Sequence, residues 1–125
     1  MKLNIITNLR KGWVGDIGIH THDSMNLAMI NSKTALSEGA TWIDSTLTGM
    51  GRGPGNAKTE HTIIEFEEYR NIKPNLENIA DLISNYFNPL KEKYSWGTNI
   101  FYYLAGKHKI HPTYIQEMLS IISLN

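Results

Sequence analysis

The sequence predicts an α/β fold followed by an all-helical C-terminal region. Three observations point there. Residues 17–69 alternate strand-like and helix-like segments, glycines stand at the junctions, and after Lys73-Pro74 apolar residues recur only at helical spacing. Alternation of this kind argues for parallel strands joined by right-handed helical crossovers.

Leu3, Ile6 and Leu9 recur every three residues, so residues 1–11 read as the end of a helix, with Asn4 and Asn8 weakening the pattern. Gly12 to Asp16 is a loop. Ile17 to His22 is a short strand, in which Ile17, Ile19 and Thr21 share one face and Gly18, His20 and His22 the other. Asp23 or Ser24 caps a helix running to about Glu38, with Leu27, Ile30, Ala35 and Leu36 as its apolar positions. Gly39 ends it in the left-handed conformation that glycine adopts cheaply. Thr41 to Leu47 is β-branched and aromatic enough for a second strand. A glycine loop follows at 49–56, then a helix from Ala57 to about Tyr69 carrying Ile63, Ile64 and Phe66. Two strands cannot cover both faces of a parallel sheet, so further neighbours are expected.

Past Pro74, Leu76, Ile79, Ala80, Leu82, Ile83, Tyr86 and Phe87 mark a helix up to Asn88-Pro89, with residues 90–96 continuing as a kinked turn beyond the proline. Residues 100–107 and 113–122 read as two more helices, Pro112-Thr113 suiting a helix start. The chain therefore divides at Pro74 into residues 1–73 and 74–125.

Composition bounds the function. At 125 residues the chain is one domain or a piece of a larger one. Twelve basic and twelve acidic residues cancel, which argues against nucleic-acid binding but leaves room for a small anionic substrate. Without cysteine there is no disulfide and no thiolate nucleophile. No apolar run approaches the ~20 residues of a membrane span, and the N-terminus lacks a signal-peptide core, so a cytoplasmic protein with no membrane association is expected.

The chemistry concentrates in two motifs. His20 and His22 project from one strand face, where two imidazoles can meet one ion. A lone histidine would more simply be a hydrogen-bonded surface group; the pair, with Asp23 next, makes metal binding the competing reading. A hard ion such as Mn²⁺ or Mg²⁺ would also want oxygen ligands. Asp23 faces away if the strand continues, so it reads as a cap or as a group behind the ligands. Gly49, Gly51, Gly53 and Gly55 alternate, bringing backbone close to a ligand or simply making a turn. Their spacing fits neither the dinucleotide nor the phosphate-loop pattern. Arg52 is either a carboxylate contact or a solvated charge. His61 reads as a surface residue, His108 and His111 as a solvated helix junction, and Glu65-Phe66-Glu67-Glu68 as a charged helix end. Trp96, Phe101, Tyr102 and Tyr103 read as packing between helices.

Gly18-Ile19-His20-Thr21-His22-Asp23, Leu27-Ala28 with Asn31-Ser32, Glu38-Gly39-Ala40, and Gly49 to Ala57 with Glu60, occurring in this order, together resemble the DRE-TIM metallolyases: metal-dependent aldolases, acyl-CoA lyases and 2-oxoacid condensing synthases. The resemblance covers roughly residues 15–68. His-x-His-Asp leading into an apolar helix looks most like the 4-hydroxy-2-oxovalerate aldolase branch, since condensing synthases usually read His-Asn-Asp there. Trp96-Gly97, Tyr103-Leu104 and residues 110–114 are similar to the C-terminal helical extension of aldolase-like members.

The resemblance implies the last two strands of a TIM (β/α)8 barrel in residues 1–73 and a communication-like helical region in 74–125. It implies that His20 and His22 bind a divalent ion, with Asn56 matching a further ligand position and Arg52 a speculative substrate contact. The ion, Mn²⁺ or Mg²⁺, would bind a small 2-oxo acid and stabilise its enolate during aldol cleavage to pyruvate and an aldehyde. A dehydrogenase or a second copy of the chain is the implied partner. Two departures stand out. Ser24 and Asn26 occupy the place of the usual Asn-x-Gly, which affects the turn and helix start, and no Asp-Arg-Glu motif occurs. That motif supplies the carboxylate ligand and the enolate-stabilising arginine, and a barrel takes roughly 250 residues. The chain is therefore expected to be the C-terminal part of a larger enzyme, inactive alone. An acyl-CoA lyase or condensing synthase is the enzymatic alternative; a non-catalytic oligomerisation or docking module is the other.

Overall fold

The computed structural model describes residues 4–71 and 73–122. Helix α1 (Asn4–Arg10) leads into β1 (Gly18–His20), α2 (Ala28–Ser37) and β2 (Trp42–Asp44). A 3-10 turn (Leu47–Gly49) opens the glycine loop, which feeds α3 (Thr59–Glu65) and α4 (Glu67–Arg70). The remainder is helical: α5 (Leu76–Leu82), a π-helical turn (Ile83–Phe87), α6 (Asn88–Tyr94), α7 (Ile100–Lys107) and α8 (Pro112–Ile122).

The strands are parallel neighbours, with Gly18, Ile19 and His20 opposite Trp42, Ile43 and Asp44. The α/β prediction holds, but helix dominates, and the strands run three residues each against the six or seven predicted. One sheet face is covered. Ile6, Ile17, Ala35 and Ala40 form its core, Ile19 packs against them, and the small residues Ala28, Ser32 and Ala35 let α2 lie close. The Thr21 hydroxyl ties the end of β1 to that helix, meeting Ser32 Oγ at 3.0 Å and donating to the Ala28 carbonyl at 3.3 Å. Gly18, His20, Trp42 and Asp44 lie on the other face, and all four are exposed.

Helix α2 begins at Ala28, three or four residues later than predicted. Asn26 explains the delay: it turns at a φ of 57°, closing a turn from its N–H to the Asp23 carbonyl. Asparagine tolerates this conformation better than other non-glycine residues, so Asn26 makes the turn where glycine was expected. Asp23 then accepts a hydrogen bond from the Ala28 amide at 3.0 Å. Gly39, with a φ of 105°, ends α2 as predicted; its N–H bonds the Leu36 carbonyl and that of Ala40 the Ala35 carbonyl. The predicted single helix over 57–69 breaks at buried Phe66, and the predicted break at Asn88-Pro89 is bridged. The π turn before α6 absorbs the hydrogen bond that Pro89 cannot make.

The C-terminal region meets the glycine loop directly. The Gly97 amide donates to the Gly53 carbonyl, Trp96 Nε1 to the Thr48 carbonyl, and Thr98 Oγ1 to the Ser24 carbonyl. No helix among the described residues is long and apolar enough to cross a membrane.

Candidate metal centre and glycine loop

The parallel register places the His20 ring beside the Asp44 carboxylate, Nδ1 to Oδ2 at 3.6 Å. This is close enough for charge to act but too long for a hydrogen bond. The His20 and His22 rings meet edge to face with centroids 4.8 Å apart, and both are exposed on the open side of the sheet. Asn56 joins them through the backbone. His22 and Asn56 form an antiparallel bridge, with the Asp23 amide donating to the Gly55 carbonyl at 3.0 Å and the Ala57 amide to the Thr21 carbonyl at 3.1 Å. The glycine loop is thus laid along residues 21–23.

That approach depends on Gly55. At a φ of 77°, a Cβ there would fall 2.5 Å from the Gly49 carbonyl oxygen. The Asn56 side-chain NH₂ donates to the Met50 carbonyl at 3.2 Å, and its Oδ1 accepts no hydrogen bond among the described residues. The donor set is two imidazoles and one amide oxygen. Asp44 lies on the Nδ1 side of His20 without a hydrogen bond to it. These residues fit part of a coordination shell for a divalent ion. Among the described residues, no group of three or more His, Cys, Asp or Glu side chains is arranged to hold a metal.

Arg52 is exposed, and its Nη2 donates to Thr113 Oγ1 at 3.4 Å, tying the glycine loop to the start of α8. Asp23 is occupied as the closing group of the turn before α2. His61 is exposed on α3; His111 accepts a hydrogen bond from the Thr113 amide and so caps α8. Glu65 pairs with Lys33 at 2.9 Å, linking α3 to α2 and holding the lysine pKa above its ordinary value. Of the aromatic group, Trp96 and Tyr102 are buried, whereas Phe101 and Tyr103 face out, as helical periodicity requires of their neighbours. Burial raises the Tyr102 phenol above its ordinary pKa, against the opposing pull of its bond to Gln116 and of Arg52 nearby.

The sequence reading missed the positioning roles of three groups, one of which, Glu60, enters it only as part of a motif. Asp44 has a signal: Ile19-His20 and Ile43-Asp44 are equivalent steps on paired strands. Glu60 accepts from the Thr48 amide at 3.0 Å, holding a residue whose φ is 54°. Arg10 clamps the entrances of both strands, donating to the carbonyls of Gly15 and Gly39. Arg10 belongs to no local pattern.

These features define a class, and comparison with known proteins agrees. The HMGL-like family profile matches residues 3–84. The chain belongs to this family, and within it to the aldolase branch of the DRE-TIM metallolyases. It is 40% identical over 62 residues to 4-hydroxy-2-oxovalerate aldolase 2 of Rhodococcus jostii, a stretch covering 50% of this chain and 18% of that protein. It is 35% identical over 99 residues to homocitrate synthase AksA of Methanopyrus kandleri, covering 74% of this chain and 25% of that one. The crystal structure of the N-terminal domain of a protein assigned as an aldolase from Bacteroides vulgatus superposes with a TM-score of 0.81 at 35% identity, over 96% of this chain and 41% of that one. The chain thus spans a quarter or less of the length of these two curated relatives.

Proposed function

We propose that the chain carries part of the metal site of an aldolase that cleaves a 4-hydroxy-2-oxo acid to pyruvate and an aldehyde. Residues 1–73 are the last two strands of a TIM barrel with their helices, and 74–125 a helical region that docks on a dehydrogenase or a second copy. The open sheet face is then the barrel interior, where the remaining strands would cover Trp42. His20 and His22 hold an Mn²⁺ or Mg²⁺ ion, and Asn56 Oδ1 is a third contact. When bound, such an ion supplies Lewis acidity toward the 2-oxo group. Asp44 orients the His20 ring, and the glycine loop fixes Asn56 against His22. Arg52 contributes a substrate contact only if it leaves Thr113. The carboxylate ligand and the arginine of the family's first strand are not in this sequence, so the chain alone turns over weakly or not at all.

The observation that supports this most is the His22–Asn56 bridge, which brings the two motifs together beside His20. The homocitrate synthase match supports a condensing synthase as the second choice. The test is calorimetric titration of the chain with Mn²⁺, alone and as His20→Ala/His22→Ala. Binding lost in the double variant is the expected result; binding that survives it removes the histidine pair from the site.

A further inference from the structure

Behind the glycine loop lies a cleft of about 190 Å³, closed on its far side by the segment that carries Trp96, Gly97 and Thr98. It has room for a small anionic group together with water. Asn56 lines it as well, so the cleft adjoins the proposed metal site.

Two lysines line it from different elements. Lys58 comes from the end of the glycine loop, its stem passing 3.5 Å from where a Gly49 side chain would begin. Lys91 comes from α6, with Nζ 3.7 Å from the corresponding point on Gly97. Both lysines are half-buried, and neither ammonium has a hydrogen-bond or ion-pair partner among the described residues. Several other polar groups of the cleft are engaged, while Asp23 Oδ2, Asn56 Oδ1 and the Asn26 side chain accept no hydrogen bond among the described residues. Asp23 Oδ1 accepts from the Ala28 amide, Trp96 Nε1 donates to Thr48, Thr98 Oγ1 donates to Ser24, and the Asn56 NH₂ donates to Met50. Asp23 is the one acidic residue of the lining, against two lysines. Two lysines against one carboxylate leave the lining with an excess of positive charge, which a bound anion would balance.

We propose that this cleft is an anion subsite, taking a carboxylate or phosphate group on the aldehyde half of the substrate through Lys58 and Lys91. The anion site stands on the cleft itself; its assignment to the aldehyde half rests on the aldolase reading above. The preferred substrate would then carry a second anionic group besides its 2-oxo carboxylate.

The test uses the whole chain in ¹H–¹⁵N spectra at constant ionic strength, titrated separately with inorganic phosphate and malonate. Saturable shifts at Gly49, Gly97 and Thr98 are expected, weakened roughly tenfold in Lys58→Met and in Lys91→Met, as loss of one charge-assisted bond predicts. Lys93→Met should bind like the parent. Phosphate-selective or malonate-selective saturation identifies the group recognised. Shifts that do not saturate, that spread over the surface, or that ignore both substitutions overturn the site. The same samples titrated with Mn²⁺ separate the two proposals: anion binding without metal binding keeps the cleft and withdraws the aldehyde assignment.

Discussion

Residues 17–58 and residues 76–122 bury their apolar side chains in different ways. In the first segment Ile17, Ala28, Ala35, Ala40 and Ala57 are all buried, and Ile17, Ala35 and Ala40 share one core cluster with Ile6. In the second, α5, α6 and α8 have no buried residue, and only Trp96, Tyr102 and Ala105 near the glycine loop are covered. The backbone differs likewise. Positive φ in the first segment falls on Gly39, Gly49, Gly53 and Gly55, with Asn26 and Thr48 as exceptions; in the second it falls on Ser95 and Lys109 as well as Gly97. The strand–helix unit matches side chain to backbone closely, whereas the helical region depends on its contact with that unit and leaves apolar surface for something else to cover. Consistency of this kind is what gives a segment a single stable structure.

The largest expected contrast is in cost of truncation. Ile17→Ala should destabilise the chain by about 3 kcal/mol, because a buried side chain leaves a cavity in a core of small residues. Leu82, which is 40% exposed, should cost within about 0.5 kcal/mol when changed to alanine. Urea unfolding of the two variants measures both. Comparable losses would show that the helical region has a core of its own.

The same contrast explains what could be read from the sequence. The facing of His20 and His22 followed from strand periodicity, the end of α2 from Gly39, and α7 from its apolar run with matching bounds. Strand length did not follow, since each strand pairs with only one neighbour and regular structure stops where pairing stops. Arg10 acts across the chain, and Lys58 and Lys91 meet in one cleft from distant positions, so nothing in their local sequence marks them. Glu60 is marked only as part of a motif, its hold on Thr48 not being local. The late start of α2 turned on Asn26 doing what glycine usually does.

Backbone fit gives the next effect. Gly39→Ala forces a side chain into a φ of 105° and places its Cβ 3.3 Å from Arg10 Nε. A loss of about 2 kcal/mol is expected, combining left-handed strain with disturbance of the arginine clamp. Thermal unfolding checks it. A loss no larger than that of an exposed helix substitution would mean that Arg10 and the turn can rearrange freely.

The smallest effect has the opposite sign. Helix α7 ends as α2 does: the Lys109 amide bonds the Gly106 carbonyl, the Ile110 amide bonds the Ala105 carbonyl, and Lys109 sits at a φ of 58° where α2 has glycine. Glycine there removes strain of about 1 kcal/mol in the folded state. It also returns freedom to the unfolded chain, and it removes a cation from a helix C-terminus, where positive charge is favourable by about 0.3 kcal/mol. Lys109→Gly should therefore stabilise the chain by only about 0.5 kcal/mol net. Lys109→Ala separates the contributions, because it removes the charge and keeps the strain, and should not stabilise. If alanine and glycine give the same gain, the charge at this position governs the effect, and the two helix ends differ in electrostatics rather than in backbone fit.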